Sequence, residues 1–292
     1  MTRRARVSAL AKINLDLRVL SKRPDGYHEL RTIFQTISLA DRLEIEYTPA
    51  RQTSIELDDP LVIPDNLVVR AARAVMPAIG AKGRVAIRLE KRIPMGAGLG
   101  GGSSDAAAVL LALPALAGRL LPLAKAFEIA QQLGSDVGFF LVGGTAAGIG
   151  RGAELFPLPD APRQYGVLIA PGIHVSTAEA YAALSQRLTG ESEKVSGFQS
   201  ALWGGDGSRG NDFEPVVFER HPKLAALKKR LIRAGAATAL MSGSGSSLYG
   251  LFSSREEANR TQQLFGDQQT FRFSLISRAH YRRMWSEALR RK

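Results

Sequence analysis

Apolar and polar positions alternate along residues 5 to 20 and 31 to 48, with β-branched and aromatic side chains among the apolar ones, and this period of two predicts strands. The turn sequence RPDGYHE at 23 to 29 separates them. Residues 66 to 79, NLVVRAARAVMPAI, switch to helical spacing behind Asn66 as a cap, and VAIRLE at 85 to 90 returns to strand. Helices are predicted at 103 to 117 and 122 to 133. A strand at 165 to 170, YGVLIA, leads into PGIHVSTAEAY, where Ser176 and Glu179 have the spacing of a capping box that opens another helix. A helix at 221 to 234, a strand pair around SGSGSS at 242 to 247, a helix at 255 to 265 and a last strand at 270 to 276 complete the pattern. No period of fixed length recurs, and the mixed order predicts α+β layers over a strict βαβ sheet. The proline-rich LFPLPDAPR at 155 to 163 is the expected boundary between domains at 1–158 and 159–292, and WGGDGSRGNDF at 203 to 213 reads as a flexible loop.

Composition narrows the chemistry. With 292 residues, 45% of them hydrophobic, the chain can bury a substantial core. The absence of Cys excludes disulfides, Cys-ligated zinc, iron–sulfur clusters and thiol catalysis. The N-terminus MTRRARVSALAKINLDL begins with basic residues, as a signal peptide would, but Lys12, Asn14 and Asp16 interrupt any apolar stretch. The most apolar run, AAAVLLALPALAG at 106 to 118, contains a proline and falls short of the roughly 20 residues a membrane span needs. A cytoplasmic protein without a membrane partner is expected.

The formal charge of +12 favours anionic ligands such as nucleotides, diphosphates or nucleic acid. Much of the excess sits at the ends, in RRAR at 3 to 6 and in Arg278, Arg282, Arg283, Arg290, Arg291 and Lys292. A basic RNA-binding protein is the rival that this charge suggests, but it should interleave basic residues with exposed aromatics, and neither an RNP nor a KH signature is present. The expectation is therefore no nucleic-acid partner.

The segment RIPMGAGLGGGSSDAAAVLLAL at 92 to 113 holds five glycines in seven residues, then two serines and an Asp opening an Ala/Leu helix. Glycine permits positive φ and close approach of backbone amides to a ligand, and a helix N-terminus adds the positive end of its dipole, so this run can cradle phosphate. A flexible turn with Ser103 or Ser104 as an ordinary N-cap is the plainer alternative. A Walker A loop would need a Lys after the glycines. Gly96, Gly98 and Gly101 fit the bare GxGxxG pattern, but no second strand ending in an acidic residue follows about 20 positions later, as a Rossmann fingerprint requires. A protein kinase would place VAIK after its glycine loop, whereas VAIR at 85 to 88 precedes this one and HRD and DFG are missing.

PMGAGLGGGSSDAA at 94 to 107 instead resembles the phosphate motif of the GHMP kinases, named for galactokinase and the homoserine, mevalonate and phosphomevalonate kinases. AKINLDLRVLSKRPDGYHEL at 11 to 30, TIFQTISLAD at 32 to 41 and GSDVGFFLVGGTAAGIGRGAEL at 134 to 155 extend the resemblance. PGIHVST at 171 to 177, NDFEP at 211 to 215 and MSGSGSSLYGLF at 241 to 252 carry it over nearly the whole chain. These segments resemble the branch of that family acting on a cytidyl diphosphate metabolite of the non-mevalonate isoprenoid pathway. Homoserine-type and mevalonate-type kinases are the alternatives within the family.

The resemblance implies an α+β, two-domain GHMP kinase fold, with an N-terminal ATP-binding domain and a C-terminal ferredoxin-like α/β-plait domain. It implies ATP with Mg2+, a small-molecule cytidyl diphosphate substrate, and a monomer or homodimer. Around the nucleotide it places Pro94, Met95, Gly96, Ala97, Gly98, Leu99, Gly100, Gly101, Gly102, Ser103 and Ser104, with Asn66; Ser104 is a candidate magnesium ligand. Two positions depart from the family pattern, Gly138 where Pro is usual and Ala97 where Gly is common, and neither removes a functional side chain.

Phosphoryl transfer needs charge neutralisation, an aligned hydroxyl and an acceptor for its proton. Asp136, in a Gly/Ser-flanked loop before apolar FFL, is the candidate base, the family's catalytic Asp standing at this motif position; an Asp after Ser can also simply cap a helix. Lys12, between apolar residues of the first strand, is a costly cation unless paired with a carboxylate or turned to solvent. The resemblance pairs it with Asp136, where its charge would ease loss of the substrate proton. It also points to Tyr27, His28, Phe34 and Tyr181 for the cytidyl group and to Asn14 near the phosphorylated end. Cytosine needs aromatic faces and a polar edge partner, so Phe34 and Tyr181 are expected to sandwich it while His28 reads its edge. The SGSGSS loop would come up to the site from the other domain.

Overall fold

The computed structural model describes residues 1–186 and 209–290. Two long strands, β1 (Arg3–Lys22) and β2 (His28–Pro49), form an antiparallel ribbon whose register shifts between Leu10 and Lys12, Asn14 and Asp16, and Val19 and Ser21. The length of β2 lets its two halves pair different neighbours. Residues 42–49 join β4 (Gly83–Glu90), and 30–35 join β5 (Thr145–Gly150). Parallel β3 (Ser54–Asp58) borders β4, and β6 (Glu154–Pro157) borders β5, completing six strands. Against this sheet pack α1 (Leu67–Ala78), α2 (Gly101–Ala117), α3 (Leu123–Leu133) and α4 (Val137–Val142).

The second sheet is antiparallel throughout, in the order β10 (Gln269–Ser274), β7 (Tyr165–Ala170), β9 (Leu248–Phe252), β8 (Thr238–Met241). Its helices are α5 (Thr177–Ser185), α6 (Glu214–Arg220), α7 (Pro222–Arg233) and α8 (Arg255–Gln263), giving the β-α-β-β-α-β succession of a ferredoxin-like plait. The last helix, α9 (Arg278–Arg290), crosses back to the first sheet.

Strand β1 explains how the two sheets are joined. Ala11, Ile13 and Leu15 point into an apolar layer shared with Leu168, Leu240, Tyr249 and Phe273 of the second sheet. Their alternate neighbours Lys12, Asn14 and Asp16 lie on the opposite face and are also buried. A strand covered on both faces is normally apolar throughout, so three buried polar side chains in a row point to a local demand other than packing.

The caps follow the sequence in part. The Asn66 side chain accepts a hydrogen bond from Val68 N at 3.0 Å, and Ser176 accepts from Glu179 N at 3.3 Å. The expected box at Ser176 is only half made; the complete reciprocal box is at Ser254 and Glu257, at the start of α8.

Two expectations need correction, and one element was not foreseen. The boundary stretch 155–163 is partly strand, because Leu155, Phe156 and Pro157 pair with β5, so the passage between sheets is confined to 158–164. Of the expected loop at 203–213, residues 203–208 lie outside the described residues, and Asn211 forms a parallel bridge with Leu17. The basic C-terminus is a docked helix: Tyr281 is buried with its hydroxyl donating to Phe140 O at 2.5 Å, and Trp285 and Leu289 pack on the first core. None of the described helices is long and apolar enough to cross a membrane.

Truncation at Tyr281 should therefore loosen α4 as well as α9. Tyr281→Ala is expected to lower unfolding free energy by about 3–5 kcal/mol, read from the midpoint of urea unfolding. A loss under about 1 kcal/mol would show that α9 is not anchored there.

Candidate active site

The glycine run is shaped by its neighbours. At Gly98, with φ +77°, a Cβ would stand 2.0 Å from the carbonyl oxygen of Ser242, and at Gly100, with φ +68°, it would meet the Phe140 ring at 2.9 Å. A side chain at either place has both a strained backbone and no room. Gly100 is the N-cap of α2 and makes no side-chain cap bond, so neither Ser103 nor Ser104 acts as the cap that a plain turn would use. The helix start faces a cavity of about 410 Å³ lined by residues 94–103 together with Asn66, Lys91 and Asp105. Ser104 is turned away from it: the hydroxyl is buried and donates to Leu10 O at 2.7 Å, which removes its expected place as a magnesium ligand.

A larger cleft of about 980 Å³ lies on the other side of Gly98 and Gly100, which line both spaces. Lys12, Asn14, Tyr27, His28, Phe34, Asp136 and Tyr181 all line this cleft, so residues far apart in sequence are brought together as expected. Lys12 is 4% exposed, which excludes the solvent-facing alternative. Its ammonium donates to Asn14 Oδ1 at 2.8 Å, lies 3.5 Å from Asp136 Oδ2, and stands 5.4 Å above the centre of the Phe34 ring.

Asp136 opens α4 but makes no capping bond, so its carboxylate is not spent on the helix; about a third of the side chain remains exposed, in the cleft. Asn14 is held from three sides. Its Nδ2 donates to Thr32 Oγ1 at 2.7 Å, and its Oδ1 also accepts from Gly243 N at 2.9 Å. The SGSGSS turn therefore does reach the site from the second sheet, and Ser242 Oγ adds a bond to Gly98 O at 2.9 Å.

The aromatic set is arranged differently from the expected sandwich. The ring of Tyr181 stacks on His28, centroids 4.8 Å apart, and meets Phe213 edge-on. Phe34 is 3% exposed and packs on Phe139 at 5.1 Å, so its ring is largely committed to the core and no Phe34–Tyr181 slot is formed. Tyr27 is exposed beneath the guanidinium of Arg151, 3.9 Å from the ring centre, and Asp25 holds that guanidinium at 3.2 Å. Burial, with Lys22 nearby, holds the His28 ring below its usual pKa; its Nε2 is engaged by Ser185 Oγ at 2.6 Å, and that hydroxyl itself donates to Tyr181 O, so Nδ1 is the ring nitrogen left to a ligand. Burial first, then the Asp136 charge, pushes the Tyr181 hydroxyl up to about 12.

Sequence reasoning missed Arg151, Thr32 and a buried charge cluster beneath the cavity at the start of α2. Lys91 Nζ bonds Asp41 and, at 2.7 Å, Asp105, while the other oxygen of Asp41 accepts Arg92 N and Ile93 N. The signal available was Lys91 ending a strand beside the glycine loop, which reads on its face as a solvated charge. Burial opposes the Lys91 charge, but Asp105 and Asp41 outweigh it and raise its pKa. Burial, then the adjacent Asp41, pushes Asp105 up to about 7, and its Oδ1 is buried without a hydrogen bond.

Between the unfolded carboxylate range and about 7, the folded chain binds the Asp105 proton that the unfolded chain releases, so stability falls as pH rises through that window. Asp105→Asn is expected to flatten this decline, measured by denaturant unfolding at several values from about pH 4.5 to about pH 7.5. An unchanged slope would show that Asp105 is not the group responsible.

The GHMP kinases N terminal domain model matches residues 66–144, and the GHMP kinases C terminal model matches 199–264. A 4-diphosphocytidyl-2-C-methyl-D-erythritol kinase of Solibacter usitatus is 66% identical, covering 99% of this chain and 94% of that protein. One from Pelotomaculum thermopropionicum is 44% identical over 86% of this chain and 90% of its own length. A crystal structure of 4-(cytidine 5'-diphospho)-2C-methyl-D-erythritol kinase superposes with a TM-score of 0.80 at 40% identity, covering 94% of this chain and 99% of that one. A homoserine kinase from Cytophaga hutchinsonii superposes at 0.70 with 18% identity, covering 94% and 95%, a likeness of fold alone. On near full-length identity, and on a fold shared with the solved kinase, the chain belongs to the 4-diphosphocytidyl-2-C-methyl-D-erythritol kinase family of the GHMP kinases.

Proposed function

We propose that this chain transfers the γ-phosphate of ATP to the 2-hydroxyl of 4-diphosphocytidyl-2-C-methyl-D-erythritol, a step of the non-mevalonate isoprenoid pathway. The observation that carries this reading is the meeting of two cavities at Gly98 and Gly100, beside the Lys12–Asp136 pair. A donor held on one side and an acceptor on the other are separated there by backbone alone. The names of the 66% and 44% identical relatives support the choice of acceptor. We place the domain boundary after residue 158, with the ATP-binding part before it and the plait after it.

The left-handed glycines and the uncapped start of α2 fit the phosphates of ATP, with the helix dipole favouring their charge. Among the described residues no three His, Cys, Asp or Glu side chains stand together as a metal cage. Magnesium carried in with the nucleotide would supply charge neutralisation, and Ser103 is the lining hydroxyl of that cavity that would hold it. Asp136 accepts the proton of the substrate hydroxyl. Lys12, its ammonium fixed by Asn14 Oδ1, stabilises the oxygen as negative charge develops on it. The rings of Tyr27, His28 and Tyr181 form the aromatic end of the cleft and fit the cytosine, with His28 at its polar edge.

The test is ADP release on a panel of acceptors. Turnover of the cytidyl compound is expected, and turnover of homoserine or mevalonate in its place would overturn the assignment. Asp136→Ala should lower kcat by about 10²–10⁴-fold with the KM for ATP little changed. Full activity in that variant would remove Asp136 from the chemistry. Tyr181→Ala should raise the KM for the cytidyl substrate by about tenfold and leave that for ATP alone, as loss of one stacking face predicts.

A further inference from the structure

Asn211 lies outside both cavities' linings and carries no role in the chemistry above, yet it is 5% exposed and every polar atom of its side chain is used. Its Nδ2 donates to Met241 O at 2.7 Å and to Gly243 O at 2.8 Å, so both amide hydrogens go to the turn after β8. Its Oδ1 accepts from Phe213 N at 2.9 Å, at the entry to α6. The backbone around it is pinned to β1: Leu17 N donates to Gly210 O at 2.9 Å and Asp212 N donates to Leu17 O at 3.0 Å. Asp212 Oδ2 accepts from Val19 N at 2.9 Å, and Arg18 bridges Asp16 and Asp212.

We propose that Asn211 is a positioning residue for phosphoryl transfer, acting through the 242–247 turn on Asn14 and thereby on Lys12. The path is continuous. Asn211 fixes the carbonyl of Gly243, a residue held at φ +58°, and the N–H of that same Gly243 donates to Asn14 Oδ1, the oxygen that also accepts from Lys12 Nζ. One carboxamide oxygen thus receives the catalytic ammonium and the N–H of the Ser242–Gly243 peptide, the plane lying between the two whose carbonyls Asn211 holds. The bond from Ser242 Oγ to Gly98 O carries the same constraint to the shared wall of the two cavities. A turn rotated by a fraction of an ångström would misdirect both Asn14 and Gly98.

The alternative is that Asn211 merely starts α6. Asn211→Asp separates the two, because it keeps the acceptor for Phe213 N and the shape of the side chain but turns an oxygen toward the two carbonyls in place of N–H groups. This proposal rests on the kinase reading, so the unmodified chain is assayed first. No turnover of the cytidyl compound there would sink that reading and not this step.

With turnover established, Asn211→Asp and Asn211→Ala are assayed at saturating ATP and cytidyl substrate, below the unfolding temperature of each variant. A fall in kcat of about tenfold to a hundredfold is expected, with the KM for ATP within about twofold. In a double-mutant cycle with Asn14→Ala, the loss should be largely non-additive, since the second change acts through the first. Wild-type kcat in either folded variant, losses that simply add, or failure of both variants to fold would each overturn the proposal and leave Asn211 a fold residue alone.

Discussion

An ammonium group buried in a β-strand is the constraint on which the rest of this site depends. Removing Lys12 from water is unfavourable by several kcal/mol unless its hydrogens find acceptors and its charge a partner. Both are supplied from elsewhere: Asn14 two residues along β1, and Asp136 at the start of α4. Asn14 in turn must be held, and Thr32 of β2 and Gly243 of the second sheet hold it. Satisfying one charge therefore requires the first sheet, its fourth helix and the turn between β8 and β9 to converge on one point. The shared apolar layer of Ile13, Leu15, Leu240 and Tyr249 brings them there, and Tyr249 adds a hydrogen bond from its hydroxyl to Asn14 O at 2.7 Å. Packing and chemistry are thus alternate faces of the same strand.

The two buried lysines show how the same pairing can serve opposite ends. Lys91 sits between two carboxylates that are themselves almost fully buried, a closed arrangement in which the charge is absorbed locally. Breaking such a group leaves an uncompensated charge, typically about 3–5 kcal/mol, so its first consequence is for the phosphate-side loop it supports. Lys12 has one carboxylate, 3.5 Å away and open to the cleft. A pair of this kind has capacity left: the carboxylate can accept a proton from a ligand hydroxyl, and the ammonium can face the oxygen that results. Geometry, not residue type, separates the closed lysine from the one open to the cleft.

Much of this was legible in the sequence, and what was not has physical causes. Helix α1 and strand β7 matched their expected bounds closely, because Asn66 caps one and a clean apolar run forms the other. Strands β5 and β6 escaped notice because TAAGIG has no polar alternation and β6 ends in proline. Helix α4 was hidden by its shortness and by Gly138, and α9 by a charge density that hid Tyr281, Trp285 and Leu289 at helical spacing. Lys12 stood out because it interrupts an apolar strand where packing alone would not place it, whereas Asn14, Tyr27, His28, Phe34 and Tyr181 were named through the family resemblance. Their arrangement was not. That Tyr181 would stack on His28, and that Phe34 would be buried on Phe139, depends on how α5 docks and on the small residues of β5, which no local pattern records.

The glycine loop needs the most careful accounting. Read along the chain, five glycines in seven residues all argue for phosphate, but in the folded protein they answer to different neighbours. Gly98 is required by the carbonyl of Ser242, in the turn between β8 and β9, and Gly100 by Phe140 and by the stem of Lys12, whose Cγ would lie 3.2 Å from an added Cβ. These two are glycines because the protein packs against itself there, whatever the cavity holds. Counting glycines therefore overstates the case for an anion, and the missing side-chain cap on α2 follows from the same packing at Gly100; the helix start nonetheless faces the cavity of about 410 Å³. The same two glycines form the thin wall between the two cavities. At these two positions the loop is glycine so that Phe140, the stem of Lys12 and the 242–247 turn can close on it.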